Sequence, residues 1–341
     1  MVQTAPSAVP PAPPPPPTHT MGDVPGSTPL PLPNASTVTD GDAAACTLLA
    51  VFDFDRTLLF EANSDTWVFE ELAPDLLPLL RQRVRASPTR SWTDGINWAL
   101  AQLPARTVSP EAVLSTLRHV PWDGDMTATL RLLAAASPAV HAAVASDANT
   151  AYIETVLGAA GVDAAAAFVG GVWTNGAAVT PAGALQVVPG AGGAARARRC
   201  RAAVPRAVAP TAAAAGGGGV WADAAGPSLT AAPPRLVPLR WIWYRRPPDR
   251  LRLGGGADLR RARPNVRQVV YVGDGTNDVC PVLHLGAGDL ALARVGLEME
   301  DELSELRASG DERLTAKVIS WSSPADILRI FREVLAARAA A

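Results

Sequence analysis

The stretch "LLAVFDFDRTLLF", Leu48 to Phe60, sets two carboxylates, Asp53 and Asp55, into an otherwise apolar run, with Thr57 two residues further on. Stripping water from an ionised carboxylate costs several kcal/mol or more unless a partner compensates. The approach to Asp53, "TLLAVF", is short, continuous and apolar, which suits a strand of a parallel sheet buried on both faces. Two later runs have the same form. "HAAVASDAN" ends at Ser146 and Asp147, and "RQVVYVGDGTND" ends at Asp274 and Asp278. In an open α/β sheet the ligand crevice lies beyond the carboxyl ends of the strands, so three segments far apart in sequence are expected to converge on one site.

Helical signals lie between and after these runs. "SPEAVLSTL" offers Ser109 as an N-cap, Pro110 at the first helical position, and Val113, Leu114 and Leu117 on one face. "SSPADILRIFREVL" repeats the device with Ser323 and Pro324, and its apolar face is Ile327, Phe331, Val334 and Leu335. The expected fold class is therefore α/β, a Rossmann-like parallel-sheet core. The segment from Met1 to Ala45, with the run Pro13 to Pro17, cannot bury a core and reads as a disordered or polyproline tail.

The composition excludes several classes of function. The chain has 341 residues, 48% of them apolar, but no run of eighteen apolar residues that would span a bilayer. A net charge of −2 gives no reason to expect a nucleic-acid partner. The four histidines show no metal-ligand spacing. The start lacks both the arginines of a transit peptide and the apolar stretch of a secretory signal, so a soluble, cytoplasmic protein is the expectation. The one macromolecular partner the sequence suggests is a weak proline-binding module on the tail.

A bound cation resolves the problem posed by the acids. Mg2+ held between Asp53 and the carboxylates of "GDGTND" would let them stay ionised, and hard oxygen ligands are what Mg2+ prefers. Mg2+ also brings phosphates. A phosphoryl group placed there would lie near Asp53, which can attack phosphorus to give an aspartyl-phosphate. Asp55 can protonate the leaving oxygen and later take a proton from water. Ser146 can hold a phosphate oxygen through its hydroxyl.

"DFDRT", a strand-end serine and "GDGTND", in that order, resemble the haloacid dehalogenase superfamily of aspartate-nucleophile phosphatases. The words "NSDTW", "SDANTAYIE", "GDGTNDVCPV" and "VISWSSPADI" narrow the resemblance to the phosphoethanolamine/phosphocholine and pyridoxal-phosphate phosphatase family, whose plant members include enzymes described as pyrophosphatases or thiamine-phosphate phosphatases. The resemblance covers Thr47 to Pro189 and Pro264 to Leu335. It implies a core of residues 46–62, 139–189 and 264–341 with a helical cap inserted over 63–138. It also implies Asp53 as nucleophile, Asp55 as acid/base, and Ser146 and Thr57 at the phosphate. Asp274 and Asp278 would hold Mg2+ beside Asp53 and the backbone carbonyl of Asp55, with Asp65 and Asp147 facing the substrate's head group. Two acids there favour a small phosphorylated metabolite bearing a cation.

One segment departs from the family. A lysine that neutralises the phosphate is expected before the third run, yet Gly190 to Arg263 is rich in Ala, Gly, Arg and Pro and has no lysine. The chain's one lysine, Lys317, follows the metal loop instead. The segment reads as a low-complexity insert, disordered or mistranslated. The expected activity is Mg2+-dependent hydrolysis of phosphoethanolamine, phosphocholine or pyridoxal phosphate. The alternative is an impaired phosphatase-fold protein that binds phosphate compounds or acts through its proline-rich tail.

Overall fold

The computed structural model of the chain describes residues 46–87, 90–188 and 265–340. The proline-rich tail and the insert Gly190–Arg263 lie outside the described residues. Within them, seven strands form one sheet. They are β1 (Leu48–Phe52), β2 (Val140–Asn149), β3 (Gly171–Val179), β4 (Leu185–Val188), β5 (Gln268–Gly273), β6 (Leu290–Arg294) and β7 (Lys317–Trp321). Their order is β4-β3-β2-β1-β5-β6-β7, and every pairing is parallel except the edge pair β3 and β4.

The apolar runs explain why these strands lie inside. All five residues of β1 are buried, and they alternate between two cores as the period of two requires. Leu48, Ala50 and Phe52 join one cluster, while Leu49 and Val51 join the other. The first cluster is covered by α5 (Gly124–Ala135), through Met126, Leu130 and Leu133, and by α10 (Pro324–Ala339), through Ile327, Ile330 and Phe331. The second is covered by α8 (Thr276–Val282) and α9 (Glu298–Ala308), through Val279, Val282, Met299, Leu303 and Leu306.

Four helices follow β1 before α5: α1 (Ser64–Leu72), α2 (Leu76–Arg85), α3 (Trp92–Leu100) and α4 (Pro110–Leu117). The caps read from sequence form. Ser109 accepts from the Ala112 N–H, and Ser323 makes a reciprocal capping box with Asp326. The α3 helix is tied to the sheet edge by Asn97, which donates to the Val187 carbonyl at 2.8 Å and accepts from the Val187 N–H at 2.7 Å. Two further helices, α6 (Thr150–Ala159) and the short α7 (Ala164–Ala167), lie between β2 and β3.

This topology positions the site. From β1 the chain builds outward through β2 and β3 on one side, then returns to build β5, β6 and β7 on the other. The reversal opens a crevice at the carboxyl ends of β1 and β5. Phe52 pairs with Val272, so Asp53 and Asp274 leave neighbouring strands almost level with each other.

Candidate active site

Each of the three polar strand ends contributes to this crevice. Asp53 continues the pairing of β1, its N–H bonded to the Val272 carbonyl at 2.9 Å, and its carboxylate is buried. Its Oδ1 is enclosed and has no hydrogen-bond partner among the described residues. One carboxylate oxygen each from Asp53, Asp274 and Asp278 lie within 4.8 Å of one another. Burial first, and then the charges of Asp278, Asp147, Asp274 and Asp55, push the Asp53 carboxyl well above the usual carboxylate range.

The turn after Asp53 is shaped by its own residues. Arg56 takes a left-handed backbone with φ of +57°, and its N–H reaches the Ala62 carbonyl at 2.9 Å. Such a conformation is strained for a residue with a side chain and has to be held by its surroundings. Asp55 turns Oδ1 onto the Ser64 N–H at 2.6 Å, at the start of α1, and so lies outside the three-acid cluster. Burial raises the Asp55 carboxyl to about 7 against the opposing effect of Ser64. The Thr57 hydroxyl donates to Asp274 Oδ1 at 3.2 Å, which commits its proton to an acid rather than to a phosphate.

The β5 end is built around Asp278. It accepts from the Tyr271 hydroxyl at 2.8 Å and from the Asp274 and Gly275 N–H groups at 2.9 Å each. A Cβ at Gly273 would lie 2.5 Å from the Asp278 carboxyl carbon, so only glycine allows this loop to close over the acid. Asp278 thereby anchors the loop, while Asp274, raised by burial to about 6, keeps an oxygen beyond its bond to Thr57. Burial and the charge of Asp274 raise Asp278 itself to about 7.

The β2 end differs from the sequence reading in one respect. The strand does not stop at Asp147 but runs on to Asn149. Its pairing with β3 lapses between Ala145 and Asn149, so Ser146 and Asp147 fall in an irregular stretch where side chains are re-aimed. Ser146 Oγ accepts from the Ala148 N–H at 3.3 Å, which leaves its O–H to donate. The Asp147 side chain is accessible, and Asn175 holds its backbone carbonyl at 2.6 Å. Asp65 lies in the first turn of α1, whose N-cap is Asn63 rather than Asp65. Trp92, at the start of α3, donates its indole N–H to Asp65 Oδ2 at 2.8 Å.

A group of buried hard oxygens with one unpartnered carboxylate oxygen and raised pKa values fits a divalent cation such as Mg2+. The expected lysine has no stand-in of its own kind here. Lys317 opens β7 at the amino end of the sheet, opposite the crevice, in register with the start of β6.

The profile of the "Putative Phosphatase" family matches residues 48–205 and 257–335. The chain belongs to this family. It is a haloacid-dehalogenase-like phosphatase, a hydrolase of phosphoric monoesters. The match passes over residues 206–256, which lie within the segment read from sequence as an insert. Three relatives frame it. "Probable phosphatase phospho1" of Danio rerio is 28% identical over 84% of this chain and 86% of its own length. "Pyridoxal phosphate phosphatase PHOSPHO2" of Rattus norvegicus is 26% identical over 82% and 95%. "Phosphoethanolamine/phosphocholine phosphatase" of Gallus gallus is 35% identical over 23% and 30%.

Several residues of this phosphatase escaped sequence reasoning. Arg294 ends β6, and one of its guanidinium nitrogens donates to the Arg56 carbonyl at 2.6 Å and the Phe60 carbonyl at 2.7 Å. The guanidinium lies 4.0 Å from the Phe60 ring centre and 5.5 Å from that of Trp321. It clamps the turn that carries Asp55 and Thr57, and with Arg56 it is one of two cations that draw Asp274 downward against burial. The available signal was an arginine closing the apolar run "LALAR" at a fourth strand end. Tyr271 and Trp92 gave no signal beyond aromatic packing, since their polar atoms find Asp278 and Asp65 only through the fold.

Proposed function

We propose that this phosphatase hydrolyses small phosphomonoesters through a phosphorylated Asp53, with Mg2+ held by Asp53, Asp274 and the backbone carbonyl of Asp55, and with Asp278 anchoring the loop. The carrying observation is the unpartnered, buried Asp53 Oδ1 beside a hydroxyl-held Asp274 and an anchored Asp278. Mg2+, when bound, supplies the positive charge that lets these acids ionise together and polarises a phosphoryl oxygen. The Asp53 carboxylate attacks phosphorus, and the bond from phosphorus to the leaving oxygen breaks. Asp55, whose carboxyl burial raises above the usual carboxylate range, gives its proton to that oxygen and is then a carboxylate able to take one from water. The water oxygen bonds to phosphorus as the acyl-phosphate bond breaks, which frees phosphate and regenerates Asp53. Ser146, with its proton uncommitted, donates to a phosphate oxygen.

The head group faces Asp65 and Asp147, and two acids favour a cation, which supports phosphoethanolamine, phosphocholine or pyridoxal phosphate as the substrate class. A specific observation favours a second reading, of binding with weak turnover. The chain's one lysine lies at the wrong end of the sheet, and loss of one charge-stabilising group commonly costs about 2.7–4 kcal/mol of barrier. Phosphate release from these three substrates, with Mg2+ and with excess EDTA, decides between them. Turnover that EDTA abolishes supports the first reading. Binding of phosphoethanolamine without phosphate release supports the second.

A further inference from the structure

Tyr152, in the first turn of α6, is fully buried, and its hydroxyl oxygen is enclosed without a hydrogen-bond partner among the described residues. A buried tyrosine hydroxyl normally finds a partner, because leaving it unpaired costs free energy that phenylalanine would avoid. The surroundings make the missing partner more informative. Burial and then the charges of Asp65 and Asp55 hold this hydroxyl protonated, and α6 starts directly after the β2 stretch that carries Ser146 and Asp147. The Tyr152 backbone is fixed as well. Its N–H donates at 3.1 Å to the side chain of Asn149, the last residue of the irregular β2 stretch that carries Ser146 and Asp147.

Asp53 Oδ1 has the same two properties, enclosure and no partner, and its partner in the proposed reaction is the substrate. Asp65 keeps Oδ1 beyond its bond from Trp92, so a carboxylate oxygen of α1 and the phenolic oxygen of α6 are both left for a donor. A primary ammonium carries three N–H donors and a positive charge. A quaternary ammonium carries the charge but no donor, and cannot satisfy the phenol.

We infer that Tyr152 is a specificity-determining residue of this site, its hydroxyl accepting a hydrogen bond from the primary ammonium of a small amino-alkyl phosphate whose charge is matched by Asp65 and Asp147. The inference rests on the phosphatase reading above and narrows its substrate class. Among the three candidates it selects the primary amine over the quaternary one.

Tyr152→Phe keeps the ring and removes only the unpartnered oxygen, so the variant is expected to fold with a melting temperature equal to or above that of the wild type. Full-length wild type and variant, with Mg2+, are assayed on phosphoethanolamine, phosphocholine and p-nitrophenyl phosphate. A hydrogen bond to a charged group predicts a roughly tenfold to hundredfold loss of kcat/KM on phosphoethanolamine, and a loss at least fivefold smaller on the other two. In parallel, phosphoethanolamine and phosphocholine are titrated calorimetrically into Asp53→Asn protein with and without Tyr152→Phe. The same selective loss of affinity is expected there. Failure of all turnover on p-nitrophenyl phosphate would strike the phosphatase reading alone, since the calorimetric ratio still reports on Tyr152. Equal losses on all three compounds, no loss on phosphoethanolamine, or no binding of it by Asp53→Asn protein would overturn the inference.

Discussion

The acid cluster should make the metal-free protein less stable as pH rises. A carboxyl whose folded-state pKa is raised binds more protons folded than unfolded between the two values, so stability is lost as pH climbs through that window. Asp274 moves from an unfolded value of 3.8 to about 6 in the folded chain, mainly through burial. About two units correspond to about 3 kcal/mol, of which about 2 kcal/mol accrues between pH 4 and pH 8. For a folded unit of about 200 residues, that lowers Tm by roughly 4–8 °C. Asp55 and Asp278, each near 7, push in the same direction. The assay is thermal unfolding of EDTA-treated protein at pH 4 and pH 8, for wild type and for Asp274→Asn. Contributions from groups elsewhere, such as the depressed Asp311 and Asp326, cancel between the two proteins. The wild type should lose about 4–8 °C more than the variant over this interval. Adding Mg2+ should restore the loss at pH 8 and do little at pH 4, where a protonated carboxyl is no ligand. A wild-type Tm that falls no further than that of Asp274→Asn would mean that Asp274 is not held protonated by burial in the folded chain.

Two further outcomes follow from the bonds around the site. Arg294→Gln removes two charge-assisted hydrogen bonds from the Asp55 turn and the stacking on Phe60 and Trp321, so a loss of about 2 kcal/mol, or roughly 4–8 °C in Tm, is expected, with partial recovery in Arg294→Lys; an unchanged Tm contradicts the clamp. Tyr271→Phe leaves Asp278 without its hydroxyl donor, and the Mg2+ concentration that gives half the maximal thermal shift at pH 8 should rise several-fold, whereas an identical midpoint would mean that Asp278 does not set the metal loop.

The centre of the sheet was legible because β1, β2 and β5 are continuous apolar runs that lead into acids. Burial on both faces demands the first feature, and a carboxyl-end site demands the second. Helix starts were legible where Ser109 and Ser323 supply a cap. The exact end of β2 was not, because Ser146 and Asp147 sit in a pairing irregularity that leaves the strand's composition unchanged. The supporting residues were harder still. Arg294, Tyr271 and Trp92 act through single polar atoms on partners far away in sequence, 238 residues away for the Arg294 contact to Arg56. No local period or motif records such a contact. Asp65 reads from sequence as an acid facing the head group, and its bond from Trp92 forms only after α1 and α3 have packed.

In the proposed reaction Asp53 carries the phosphoryl group. Wild-type protein mixed with Mg2+ and phosphoethanolamine, quenched in acid within the first turnovers and reduced with borohydride, should yield homoserine at position 53 by peptide mass spectrometry, while Asp53→Asn protein yields none and releases no phosphate. Phosphate release by the wild type with no modification at residue 53, or release by Asp53→Asn at the wild-type rate, would contradict the account.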